Sequence, residues 1–67
     1  MLPFQERVIE EKKELDERLV KLTVFVCSET FKKLSSVEQG RLNQQHSIME
    51  HYSAILGRRI AAFSETN

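Results

Sequence analysis

The chain has 67 residues, a single cysteine, and ten basic side chains against ten acidic ones. A chain this short makes one small domain, whose core rarely supplies more than roughly 3–5 kcal/mol unaided. One cysteine excludes an internal disulfide, and balanced charge argues against gripping duplex nucleic acid, so association with other chains is the staple left.

No apolar run approaches the roughly 18 residues of a membrane span. Met1 to Arg7 lack a basic region followed by an apolar core, so no secretory leader is expected. The reading is a soluble, intracellular protein, with neither membrane nor duplex nucleic acid among its partners.

Pro3 suits a first helical position, because its fixed φ and missing N–H cost nothing there. From there to about Val26 nothing breaks a helix, and Glu, Lys, Leu and Arg dominate. Phe4, Val8, Leu15, Leu19, Leu22 and Val26 fall within an arc of roughly 60° at about 100° per residue. Val8, Leu15 and Leu22 share one heptad position; Leu19 and Val26 share another. Lys12 takes the latter position one heptad earlier, so its stem must snorkel. Glu14–Arg18 and Glu17–Lys21 have the favourable i,i+4 order, each worth about 0.2–0.5 kcal/mol. Ile9, Val20 and Val24 lie on another side, as scattered exposed residues or as a second contact strip.

Residues 27–35 form a turn. Ser28 can cap a short segment through Phe31 and Leu34, which plug the end of the fold. Ser35 and Glu38 have capping-box spacing, so a second helix starts at Ser36. It runs to about Phe63, before a polar tail over 64–67. Leu42, Ile48, Met49, Tyr52, Ile55, Leu56, Ile60 and Phe63 span an arc of about 140° on it. A seam of about 60° cannot cover that arc. The expectation is an antiparallel two-helix hairpin, all-α, assembling into a helical bundle or larger homo-oligomer. Ile48, Met49, Ile55, Leu56, Ile60 and Phe63 are the candidate oligomer interface.

Catalysis has little to work with. Cys27 at a helix end reads as a small apolar filler. His46 and His51 are about 140° apart around the helix and cannot grip one metal. No phosphate-cradling glycine loop or nucleophile elbow is present. No enzyme activity, cofactor or metal is expected. The informative oddity is polar: Arg41, Gln45, Tyr52 and Arg59 project within the apolar arc of the second helix. They suit the rim of an oligomer interface, or a device that fixes its register. They also suit a ligand or partner site, where arginine forks grip phosphate or carboxylate and Tyr52 stacks on a ring.

The pattern Leu15-x-x-Arg18-Leu19-x-x-Leu22, then Phe31-x-x-Leu34-x-x-x-Glu38-Gln39, then Gln45-x-x-x-Met49-x-x-Tyr52-x-x-x-Leu56-x-x-Arg59-Ile60 resembles a family of small phage proteins. That family is named for its relation to a protein of crAss-like phages. The resemblance implies a phage or prophage origin, a short accessory gene and a place in the host cytoplasm. It carries over no functional residues. Such proteins often act against host defences, and some helical phage sponges hold cyclic nucleotide signals between subunits. This chain is similar to those sponges in size and helical content only. The expected function is a non-enzymatic oligomer that sequesters an anionic nucleotide-type signal. The alternatives are an inhibitor that docks on a host or defence protein, and a structural or regulatory assembly factor.

Overall fold

A computed structural model describes residues 1–64. The expected tail residues Glu65, Thr66 and Asn67 lie outside them. The chain is all-helical: α1 spans Pro3–Val26, α2 Glu29–Lys32 and α3 Ser36–Phe63.

Each boundary has a local cause. Pro3 opens α1, and the Gln5 side chain turns back to accept the Leu2 N–H at 3.0 Å. The Ser28 hydroxyl oxygen accepts the Phe31 N–H at 3.2 Å and starts α2. Ser35 does the same for α3, accepting the Glu38 N–H at 3.1 Å. The reciprocal half of that capping box is not made; the Glu38 carboxylate goes to Arg41 instead, at 3.4 Å. Gln39 donates back to the Leu34 carbonyl at 2.9 Å and ties the turn to the first turns of α3. Phe31 is buried, and Phe25 meets it edge to face with ring centroids 6.2 Å apart.

The two long helices lie antiparallel. Phe4 stacks edge to face on Phe63 at 5.9 Å, Glu11 meets Tyr52, Lys12 meets Ser53 and Thr23 meets His46. The molecule is a rod of 50 × 15 × 14 Å. Its radius of gyration is 15.3 Å, against about 11 Å for a globule of this length.

A rod this thin has little interior. Among the described residues Val8, Phe31 and Leu56 are the buried apolar ones, and Leu56 alone is fully enclosed. Leu15, Leu19, Leu22 and Val26 are half-buried along the α1 seam. Gln5, one heptad before Lys12, is 3 % exposed and belongs to that seam too. The expected Glu14–Arg18 and Glu17–Lys21 pairs do not close. All four side chains stand in solvent, where holding two long chains together gains little.

Candidate functional site

The seam of α3 runs through Leu42, His46, Met49, Ser53, Leu56, Ile60 and Phe63, all buried or half-buried. The spacing alternates four and three, as a two-helix seam requires. Met49, Leu56, Ile60 and Phe63 are therefore committed to α1 within one chain. Among the residues expected at an oligomer interface, Ile48 and Ile55 remain open, at 60 % and 47 % exposed.

Polar groups fill the gaps in the seam. The Lys12 ammonium does not snorkel outward. It donates to Asp16 at 2.6 Å and across the seam to the Ser53 hydroxyl at 3.2 Å. Ser53 donates in turn to the second Asp16 oxygen at 2.5 Å. The Lys12 hydrogen bond, then that from Ser53, hold the Asp16 carboxyl below its ordinary value of 3.8. Gly57 makes room for this cluster: a Cβ there would lie 3.3 Å from Lys12 Cε. Nearer the turn, Thr23 gives its proton to the Leu19 carbonyl, and its oxygen lies 2.7 Å from His46 Nε2. Glu50 faces the other ring nitrogen at 3.1 Å. No fully buried side-chain nitrogen or oxygen among the described residues lacks a partner.

The stripe Arg41, Gln45, Tyr52 and Arg59 lies beside the seam, not inside it, and all four are exposed. Arg41 pairs with Glu38 at 3.4 Å, and the Gln45 amide points at Met49 sulfur at 3.8 Å. The Tyr52 hydroxyl donates to Glu11 of α1, and Tyr52 stays 41 % exposed. Arg59 makes no ion pair among the described residues. The stripe does not converge within one chain: Arg41 and Arg59 are about 27 Å apart along the axis at 1.5 Å per residue. Ile48 and Ile55 stand next to it on the same flank.

The opposite flank carries a second feature. Ile9, Val20 and Ile60, with the Lys12, Lys13, Asp16 and Glu17 side chains, line an open groove of about 570 Å³. Val20 and Val24 are 63 % and 67 % exposed. At about 100° per residue Ile9 and Val20 lie about 110–130° to one side of the α1 seam, and Glu11 about 50° to the other. Two apolar strips thus occupy opposite flanks of the rod. Cys27 is free and exposed at the turn. No group of three His, Cys, Asp or Glu side chains among the described residues could hold a metal ion. No described helix is long and apolar enough to cross a membrane.

This is a small all-helical protein whose polar stripe and open groove lie on helix flanks. The comparisons give it a family: the family model Sequestin matches residues 2–62, and the chain belongs to that family. It is also 40 % identical over 63 residues to an uncharacterised 7.5 kDa protein from the denB–rIIB intergenic region of Enterobacteria phage T4. That match covers 94 % of this chain and 98 % of the phage protein. Together they bear out a small phage family; neither name carries the link to crAss-like phages. No solved structure matches.

Proposed function

We propose that the protein is a non-enzymatic phage accessory factor that self-associates through α3 and sequesters an anionic, nucleotide-type signal of host defence, in the host cytoplasm. The family name speaks for sequestering. The observation that carries the reading is the open flank of α3, where Arg41, Gln45, Tyr52 and Arg59 run beside the exposed Ile48 and Ile55.

That flank is self-complementary about residue 50. An antiparallel second copy sets Ile48 against Ile55, Gln45 against Tyr52, and Arg41 against Arg59. Burial of the isoleucines gives association a driving force. Each end then holds two guanidinium groups from different chains. They repel one another unless an anion lies between them, and planar forks suit phosphate or carboxylate. Tyr52 lies about 10.5 Å from Arg59 along the same helix, a separation that one nucleotide can bridge. Its ring supplies a stacking surface. The site is thus incomplete in one chain and complete in two.

Equilibrium dialysis against cyclic and linear mono-, di- and trinucleotides tests this. The wild type is expected to retain at least one of them. Arg59→Ala should keep its mass by light scattering and lose at least tenfold in affinity. The reading fails if no nucleotide in the panel binds and none is released on heating protein recovered from a defended host.

A further inference from the structure

We infer that the groove on the α1 flank is a second self-contact, filled by α1 of another copy running antiparallel. Along this flank the side chains come in the order Ile9, Lys12, Lys13, Asp16, Glu17, Val20. Read backwards, the order is apolar, two acids, two bases, apolar. An antiparallel copy centred between Glu14 and Leu15 therefore meets its own complement. Ile9 faces Val20 of the second copy and Lys13 faces its Glu17, while the Lys12 ammonium stays on its own Asp16 and Ser53.

The helix period makes these pairings geometrically consistent. Lys13 and Glu17 lie on one side of the contact line, Lys12 and Asp16 on the other, at about 100° per residue. In an antiparallel pair, like sides meet, so each copy's Lys13 finds the other's Glu17 and no like charges are opposed. Lys13 and Glu17 make no ion pair among the described residues, and both are exposed. Their partners are therefore free to be supplied from outside. The apolar ends, Ile9 and Val20, close over each other and exclude water from the charged middle.

The level of the contact matters. Its centre lies opposite the part of α3 near Glu50, because Glu11 and Lys12 pack on Tyr52 and Ser53. The proposed α3 contact is centred on residue 50 as well. Two isologous contacts at one level of the rod add no translation along it. Because the flanks are opposite, the two-fold axes of the contacts are parallel, and together they step copies sideways at one level of the rod.

Carbodiimide coupling of an equimolar mixture of ordinary and ¹⁵N-labelled protein tests the contact without any ligand. Hybrid peptides joining Lys13 of one copy to Glu17 of another are expected. Lys13→Glu and Glu17→Lys should each weaken this association about tenfold or more while keeping full helicity by circular dichroism. Mixing the two variants, or combining them in one chain, should restore it, since opposite charges again face each other. The inference is overturned if Lys13–Glu17 coupling occurs only within single chains, or if either charge reversal assembles as the wild type does. A groove that stays open and takes a host helix would produce the first of these results. Loss of the Lys13–Glu17 coupling with nucleotide retention intact would count against this contact alone. Arg59→Ala should leave the coupling unchanged.

Discussion

Leu56 and Ile55 are neighbours in sequence with opposite expected responses to truncation. Leu56 is fully enclosed, and the antiparallel register sets it against Val8, itself 6 % exposed. Leu56→Ala removes the transfer free energy of the side chain and leaves a cavity that a two-helix rod has few neighbours to fill. Changes of this kind cost about 2–5 kcal/mol. A chain of 67 residues is expected to hold about 3–10 kcal/mol in all. At about 4–8 °C per kcal/mol, the melting temperature should fall by about 10 °C or more, or the chain should not fold. Ile55 is 47 % exposed, so Ile55→Ala should cost less than about 1 kcal/mol in the isolated chain. If copies pack through α3, that deficit should grow with protein concentration, because association stabilises only the wild type. Thermal melts by circular dichroism from 1 to 100 µM, about two decades, read both effects. The packing argument is refuted if Leu56→Ala melts within about 1 kcal/mol of the wild type.

The Lys12–Asp16–Ser53 cluster predicts acid sensitivity. The folded chain holds the Asp16 carboxyl below 3.8, so the unfolded chain takes up its proton first. The cluster's contribution is present above 3.8 and is lost as pH falls below it. In urea melts Asp16→Asn should be the less stable variant near neutrality, and its deficit should shrink in acid; a deficit that ignores pH refutes this. Gly40 has open space where a Cβ would stand, so Gly40→Ala should stabilise α3 by about 0.5–1 kcal/mol. Gly57→Ala should gain less, since its new methyl would press on Lys12 Cε at 3.3 Å. Ser35→Ala should cost about 0.5–2 kcal/mol through the lost cap, read as a lower urea midpoint.

Apolar periodicity makes the helices of this chain legible, and the side chains at Ser28, Ser35 and Phe31 make its turn legible. The placement of the stripe is less so, for a countable reason. Reading only apolar residues on α3 includes Ile48 and Ile55 and omits His46 and Ser53. That rotates the apparent face by about 50° at about 100° per residue. Gln45 and Tyr52 then look central when they are lateral. Ser53 cannot be recognised as a seam residue from its own type, because it is polar and small. Its partner Lys12 shows the position, since a lysine at a core heptad site needs an acceptor across the interface. Gln5 could have been found by extending the Leu19 heptad back past Lys12. Its buried amide shows that this position tolerates polar groups through the first half of α1.

The polar cluster also explains why the flanks face as they do. With Leu at every seam position, the two helices could slide by a heptad and bury nearly as much surface. Lys12, Asp16 and Ser53 remove that freedom, because a slip leaves an ammonium and a carboxylate half-buried without partners. The register they select puts Tyr52 beside Glu11 and holds its ring on one flank. The same register puts Ile60 beneath Ile9 and Val20 and shapes the groove on the other. A strongly apolar seam would have been the simpler way to stabilise so small a fold. A seam with one charged layer is less generous in burial but fixes the level at which both flanks present their side chains. That level is where copies of the chain must agree if arginines from two of them are to meet on one anion.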